Sequence, residues 1–191
     1  MTIDKNDPCY PDDSIAAVHS SGKRDMAKVN VIVVHDTEGG SSAKGAANWF
    51  HDSRSGGSAH IISGEDGCFR CLPDDVSPWG APGANSNGLH IEIAGKASWS
   101  RQEWLDHDKT LNCAARLIAE WCFAYDIPAT FIDAPALVAG EVADPPKLGI
   151  TTHAEVSKAF KHSDHWDPGP NFPMDEFLAR VQNALDQLPY T

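Results

Sequence analysis

The run Val31-Ile32-Val33-Val34 constrains this chain more than any other stretch. Side chains of a strand alternate between two faces, so β-branched residues in unbroken succession leave both faces apolar. Such a strand is stable only inside a sheet that is covered on both sides, as in α/β architectures. It is followed directly by a polar residue, His35. The carboxyl ends of buried strands are where open α/β sheets place their sites.

The remaining pattern agrees with that class. After Gly39-Gly40-Ser41-Ser42, the apolar positions Ala43, Ala46, Ala47 and Phe50 predict a short helix to about His51, ended by Gly56 and Gly57. Short strands are expected near 58–63 and 68–72, joined by a turn at Gly67, and then a loop rich in proline and glycine from Pro78 to Gly88. The next strand, Leu89 to Ala94, alternates: Leu89, Ile91 and Ile93 face one side, His90 and Glu92 the other.

Ser100-Arg101-Gln102-Glu103 has the form of a capping box. Trp104, Leu111, Ala114, Ala115, Leu117, Ile118 and Trp121 follow at helical spacing and predict one helix over about 101–125, ended by Asp126-Ile127-Pro128. A strand near 130–132 follows, then a mixed segment to Gly149. Pro173 and Asp175 open a last helix with Phe177, Leu178, Val181, Ala184 and Leu185 inward. Together these predict an α/β fold, a central mixed β-sheet flanked by α-helices. Residues 1–28 are polar and read as an arm wrapping a domain that spans 29–191.

Composition narrows the partners. With 27 acidic against 15 basic side chains the net charge is −12, which disfavours nucleic acid and anionic membrane surfaces. No stretch reaches the roughly 18–20 apolar residues of a membrane span. The start Met1-Thr2-Ile3-Asp4-Lys5 lacks the basic and apolar segments of a signal peptide, so a chain made and kept in the cytosol is expected. The five cysteines (Cys9, Cys68, Cys71, Cys113 and Cys122) read as free thiols, and Cys68-Phe69-Arg70-Cys71 as two ordinary strand cysteines rather than a metal pair. Asp74-Asp75 reads as a solvated turn, and His51 and His107 as solvated.

Far downstream of His35 stand His153, after Ile150-Thr151-Thr152, and Asp167, in His165-Trp166-Asp167-Pro168-Gly169-Pro170. Two imidazoles and a carboxylate make a three-ligand zinc set that leaves a fourth position open, as in catalytic sites. Nine histidines can supply such a triplet by chance, and Asp164 or His162 is the alternative third ligand. Asp164 otherwise orients a ligand histidine or caps a turn. Hydrolysis at such a site needs a base for the water proton and a positive group for the oxyanion. Glu92 is the candidate for the first and His165 for the second. His60 and His90 read as packing or supporting residues. Trp104 and Trp121 belong to the core stripe, whereas Trp79 and Trp166 lie in loops where they could stack on a sugar or peptide face.

The combination of strand-borne His35, Ser58-Ala59-His60, Ile91-Glu92-Ile93, Thr152-His153 and Asp167-Pro168-Gly169-Pro170 with Phe172 resembles the zinc-dependent type 2 N-acetylmuramoyl-L-alanine amidase and peptidoglycan recognition protein superfamily. The resemblance covers residues 28–187 and is strongest to amidase domains of endolysins from phages of actinobacteria. It implies a zinc cleft on one face of the sheet, with His35, His153 and Asp167 as ligands and Glu92 as catalytic glutamate. Two positions depart from the pattern. The family often has lysine where this chain has His165, and a common Trp-His pair reads Trp79-Gly80 here.

The activity implied is cleavage of the amide between N-acetylmuramic acid and the first L-alanine of the stem peptide. Peptidoglycan would be the partner, with no nucleic acid or membrane, and the chain a monomer. The implied setting is a phage endolysin, stored in the host cytoplasm and acting on the wall after release. Two alternatives are a peptidoglycan-binding module without activity and an antibacterial effector amidase injected into rivals.

Overall fold

The computed structural model describes residues 13–141 and 148–188. The part of the expected arm before residue 13 therefore lies outside the described residues.

Six strands form one mixed sheet in the order β1-β4-β3-β5-β2-β6. They are β1 (Asp13–Ser14), β2 (Val31–Asp36), β3 (Ile61–Gly64), β4 (Gly67–Arg70), β5 (Gly88–Ile93) and β6 (Ile150–Thr152). All pairs are parallel except the β3–β4 hairpin. The helices are α1 (Ala43–His51), α2 (Arg101–Asp106), α3 (Asp108–Tyr125), α4 (Ala134–Glu141), α5 (His153–Phe160) and α6 (Met174–Asp186).

The two apolar faces of β2 are used as expected. Ile32 and Val34 enter a cluster with Leu89, Ile91 and Ile93 of β5, Trp104 of α2, Leu111 and Ile118 of α3, and Phe177 and Val181 of α6. Val31 and Val33 face the other way, into a cluster with Ala81, Ala84, Leu137, Leu148 and Val156. Strand periodicity then places His35 on this second face. On β5 the same alternation puts His90 and Glu92 opposite the apolar trio.

Several local expectations are corrected. The helix over 101–125 is two helices, because His107 leaves helical geometry at φ −93°, ψ 50°. Its ring stacks on Trp99 with centroids 4.6 Å apart and bonds Glu65 Oε1 at 3.1 Å, contacts a continuous helix would forgo; it is therefore half-buried rather than solvated. The capping box is present, with Ser100 and Glu103 satisfying each other's backbone amides. The segment near 130–132 contributes only a bridge from Phe131 to Ile150. Asp74 is a hub: its carboxylate accepts from Arg70, Trp121 Nε1 and Tyr125 Oη. The thiols are not uniform. Cys113 is disulfide-bonded. Burial pushes the Cys71 and Cys122 thiols up to about 12, so neither is a thiolate near neutrality.

From residue 13 onward the arm is integrated into the domain. Ile15 N–H and Ala17 N–H donate to the carbonyls of Arg70 and Cys71, extending the β1–β4 pairing. Further on, the half-buried Arg24 guanidinium donates to the carbonyls of Asp74, Asn85 and Gly88, tying the proline- and glycine-rich loop to the sheet. No helix among the described residues is long and apolar enough to cross a membrane.

Candidate metal centre and its cleft

Parallel pairing brings the chemistry to one edge. Val33 pairs with His90 and His35 with Glu92 on β5, while Val34 pairs with Thr152 on β6. The carboxyl ends of these strands therefore coincide. One residue beyond β6 the chain turns into α5, capped by Thr152 Oγ1 accepting from Glu155 N–H, and His153 is its first residue. The loop bearing Asp167 is pinned there because Ala154 N–H donates to the Asp167 carbonyl at 3.0 Å. Gly169 (φ +88°) lets the same loop pass close to the Ala97 carbonyl, where a Cβ would collide.

His35, His153 and Asp167 are all buried, and one ligand atom from each lies within 4.8 Å of the others. Asp167 divides its carboxylate: Oδ2 is 3.1 Å from His35 Nδ1 and Oδ1 is 3.2 Å from His153 Nδ1. Burial alone would raise the Asp167 carboxyl, but the hydrogen bonds and charges of His153 and His35 hold it far below the usual carboxylate range. Burial pushes His35 down, towards the neutral imidazole that ligation requires. The donor set fits a divalent metal with nitrogen and oxygen preference. Among the described residues no other group of three such side chains converges.

His165 stacks on His153, with centroids 4.4 Å apart and planes 7° apart, and its Nδ1 lies 3.5 Å from Asp167 Oδ1. Its side chain is 61% exposed, so it faces the cleft rather than the interior. Asp164 and His162, the alternative ligands, are exposed outside the cluster. Ser163, which the sequence did not single out, takes the supporting place considered for Asp164: its Oγ is 3.3 Å from His153 Nε2 and 2.7 Å from Ser157 Oγ.

Glu92 is buried with Oε2 lacking any hydrogen-bond partner. Burial, then the charges of Asp167 and Asp36, push its carboxyl well above the usual range. Asp36 was missed by the sequence reading. It follows His35 on β2, is buried, and has one oxygen without a partner. Burial raises its carboxyl to about 7, against the Glu38 N–H that bonds Oδ1.

These groups open into a cleft of about 690 Å³ whose lining includes Glu92, His165, Trp79 and Trp166. Trp79 and Trp166 are 44% and 54% exposed at its walls. The Trp79 indole is held from the arm: His19 stacks on it at 4.8 Å, and its Nε1–H donates to Ser21 Oγ. A contiguous pocket of about 450 Å³ runs past Asp36 and Glu92 to Trp49 and Phe50 on α1.

The sequence of residues 25–170 matches the model of the N-acetylmuramoyl-L-alanine amidase family (Amidase_2). The chain belongs to this family. It is an N-acetylmuramoyl-L-alanine amidase, a hydrolase of peptidoglycan. Among curated proteins none matches its sequence. Solved structures share the fold. The amidase superposes on the Staphylococcus aureus hydrolase AmiA, determined in complex with its ligand, with a TM-score of 0.70 at 18% identity, covering 91% of this chain and 82% of that one. PlyL gives 0.61 at 16% identity, covering 90% and 95%. The endolysin N-acetylmuramoyl-L-alanine amidase LysCS from Clostridium intestinale gives 0.56 at 18% identity, covering 89% and 94%. The α/β class with a mixed sheet flanked by helices thus agrees with the fold of known amidases.

Proposed function

We propose that this amidase is a zinc enzyme in which His35, His153 and Asp167 are the ligands, Glu92 and His165 the catalytic groups, and Trp79 and Trp166 substrate contacts. Its biological setting is that of a phage endolysin, kept in the host cytoplasm until release and acting on the wall as the domain of residues 29–191, with the segment 1–28 as its arm. The observation that carries the reading is Asp167 sharing its two oxygens between two buried imidazole Nδ1 atoms, at 3.1 and 3.2 Å.

When bound there, zinc would supply Lewis acidity to the scissile carbonyl and to water. The chain's own residues supply the rest. Glu92 accepts a proton from the attacking water and returns it to the amine of L-alanine as the C–N bond breaks. Its raised carboxyl suits this, because the group that takes the proton must also hold and release it. The exposed His165 ring donates an N–H to the oxygen on which negative charge develops. Trp79 and Trp166 offer apolar faces on which a sugar or peptide can lie.

Mass analysis of digested peptidoglycan, with and without chelator, tests the reading. New L-alanine amino termini that vanish on chelation and return with zinc are expected. New reducing sugars, or full activity in metal-free protein, would overturn it.

A further inference from the structure

Two histidines, His60 and His90, are fully buried and take no part in the proposed chemistry. His90 has a well-defined set of partners. Its Nε2 is 3.2 Å from the Ala84 carbonyl, and its Nδ1 is 3.1 Å from His35 Nε2. The His35 and His90 rings have centroids 5.2 Å apart and planes only 21° apart, the near-coplanar geometry of an end-on hydrogen bond.

These contacts fix protons. A carbonyl can only accept, so His90 carries its hydrogen on Nε2. The Nδ1 of a neutral His90 is then an acceptor, and the hydrogen between the rings belongs to His35 Nε2. That leaves His35 Nδ1 bare, facing Asp167 Oδ2. Only a proton or a metal ion between these two atoms lets them approach to 3.1 Å, and in the loaded site that place belongs to the ion.

The surroundings hold the His90 ring in this place. A Cβ at Gly80 would overlap His90 Nδ1, and one at Gly88 would crowd Nε2. From the other side, His90 N–H donates to His60 Nδ1 at 3.0 Å, and His60 Nε2–H bonds the Val76 carbonyl at 3.0 Å. The ring thus occupies space that the two glycines leave open. Gly80 is also the position where this chain departs from the Trp-His pair common in the family. Here the His90 imidazole of β5 lies against the glycine backbone.

We propose that His90 is a positioning residue for the metal: through the line from Ala84 carbonyl to His90 to His35 it fixes His35 as the Nε2–H tautomer and aims its Nδ1 at the ion. This rests on the zinc site proposed above, and the two can fail separately.

The tautomer is read first, by long-range ¹H–¹⁵N correlation of the histidine rings in zinc-loaded protein at pH 7.5. A His35 protonated on Nε2 is expected, and one protonated on Nδ1 would overturn the proposal. Zinc affinity is read second, by calorimetric titration. His90→Phe should weaken it about 10–100-fold, the usual cost of removing a partner behind a ligand histidine. His90→Asn, whose amide oxygen can accept from His35, should recover most of that loss. Gly80→Ala, which pushes on the His90 ring from the loop, should weaken zinc binding with both histidines left in the sequence. Unchanged zinc affinity in folded His90→Phe would overturn the proposal; should that variant not fold, the His35 tautomer and Gly80→Ala decide it. Failure of the wild-type chain to bind zinc at all would instead overturn the metal reading.

Discussion

His35 and Glu92 are register partners on the parallel strands β2 and β5, so a buried imidazole and a buried carboxylate reach the same edge of the sheet side by side. Neighbouring strands lie about 4.8 Å apart, and side chains paired in register on one face are immediate neighbours. The pairing therefore keeps a candidate base beside a candidate metal ligand through backbone hydrogen bonds alone, without help from a loop.

If His35, His153 and Asp167 hold the ion, the metal should leave as a unit. Elemental analysis is expected to find one zinc per wild-type chain and none in Asp167→Ala, with activity at background in that variant. A chelator should do the same to the wild type, reversibly. Stoichiometric zinc in Asp167→Ala would remove this residue from the ligand set.

The proposed place of Glu92 is in the proton transfers and not among the ligands. Glu92→Ala should keep its zinc and lose about 10²–10⁴-fold in turnover, the range for loss of a general base. Near-normal turnover would exclude it from the mechanism.

His165 stands exposed beside His153, where a charged group would meet developing negative charge. A lysine holds its proton to higher pH than an imidazole does. His165→Lys should therefore move the alkaline limb of the pH–rate profile upward. An unmoved limb would show that this side chain does not donate to the oxyanion.

Burial, then the neighbouring Arg24 charge, lowers His60 from 6.5 to about 3. Below pH 6.5 the unfolded chain takes up a proton that the folded chain refuses, so stability is full above that value and falls as the pH drops towards 3. The slope contributed by this group is about 1.4 kcal/mol per pH unit. Denaturant titrations of His60→Asn between pH 6 and 4 should show a shallower decline than wild type, and an equal slope would contradict the assignment.

Arg24 ties the arm to the loop that carries Trp79. Removing its side chain leaves the carbonyls of Asp74, Asn85 and Gly88 without this donor. Arg24→Ala is expected to cost about 2–4 kcal/mol in equilibrium unfolding. A loss below 0.5 kcal/mol, as for an ordinary surface substitution, would mean that the loop does not depend on the arm.

The periodic signals of the chain were sufficient for its layers. Four β-branched residues in succession dictated a strand covered on both faces, and Val31 and Val33 do face one cluster while Ile32 and Val34 face another. Alternation on β5 separated His90 and Glu92 from the apolar trio, and the Ser100–Glu103 capping box started α2 where expected. The motif residues His35, His153 and Asp167 were legible as a candidate ligand set because their types suit one metal, and the fold brings the three together.

What local pattern could not contain is which side chains from distant segments meet. Periodicity reports the face on which a residue lies, and tertiary packing chooses its neighbour. Only the folded chain joins His90 to His35 through space left by Gly80 and Gly88, puts Ser163 rather than Asp164 behind His153, and buries Asp36 beside the cleft. Only there does His107 interrupt the long helix for Trp99 and Glu65, and Asp74 become a hub for Arg70, Trp121 and Tyr125. A hydrogen bond depends on angstrom-scale approach between elements, and separation along the chain carries no record of that.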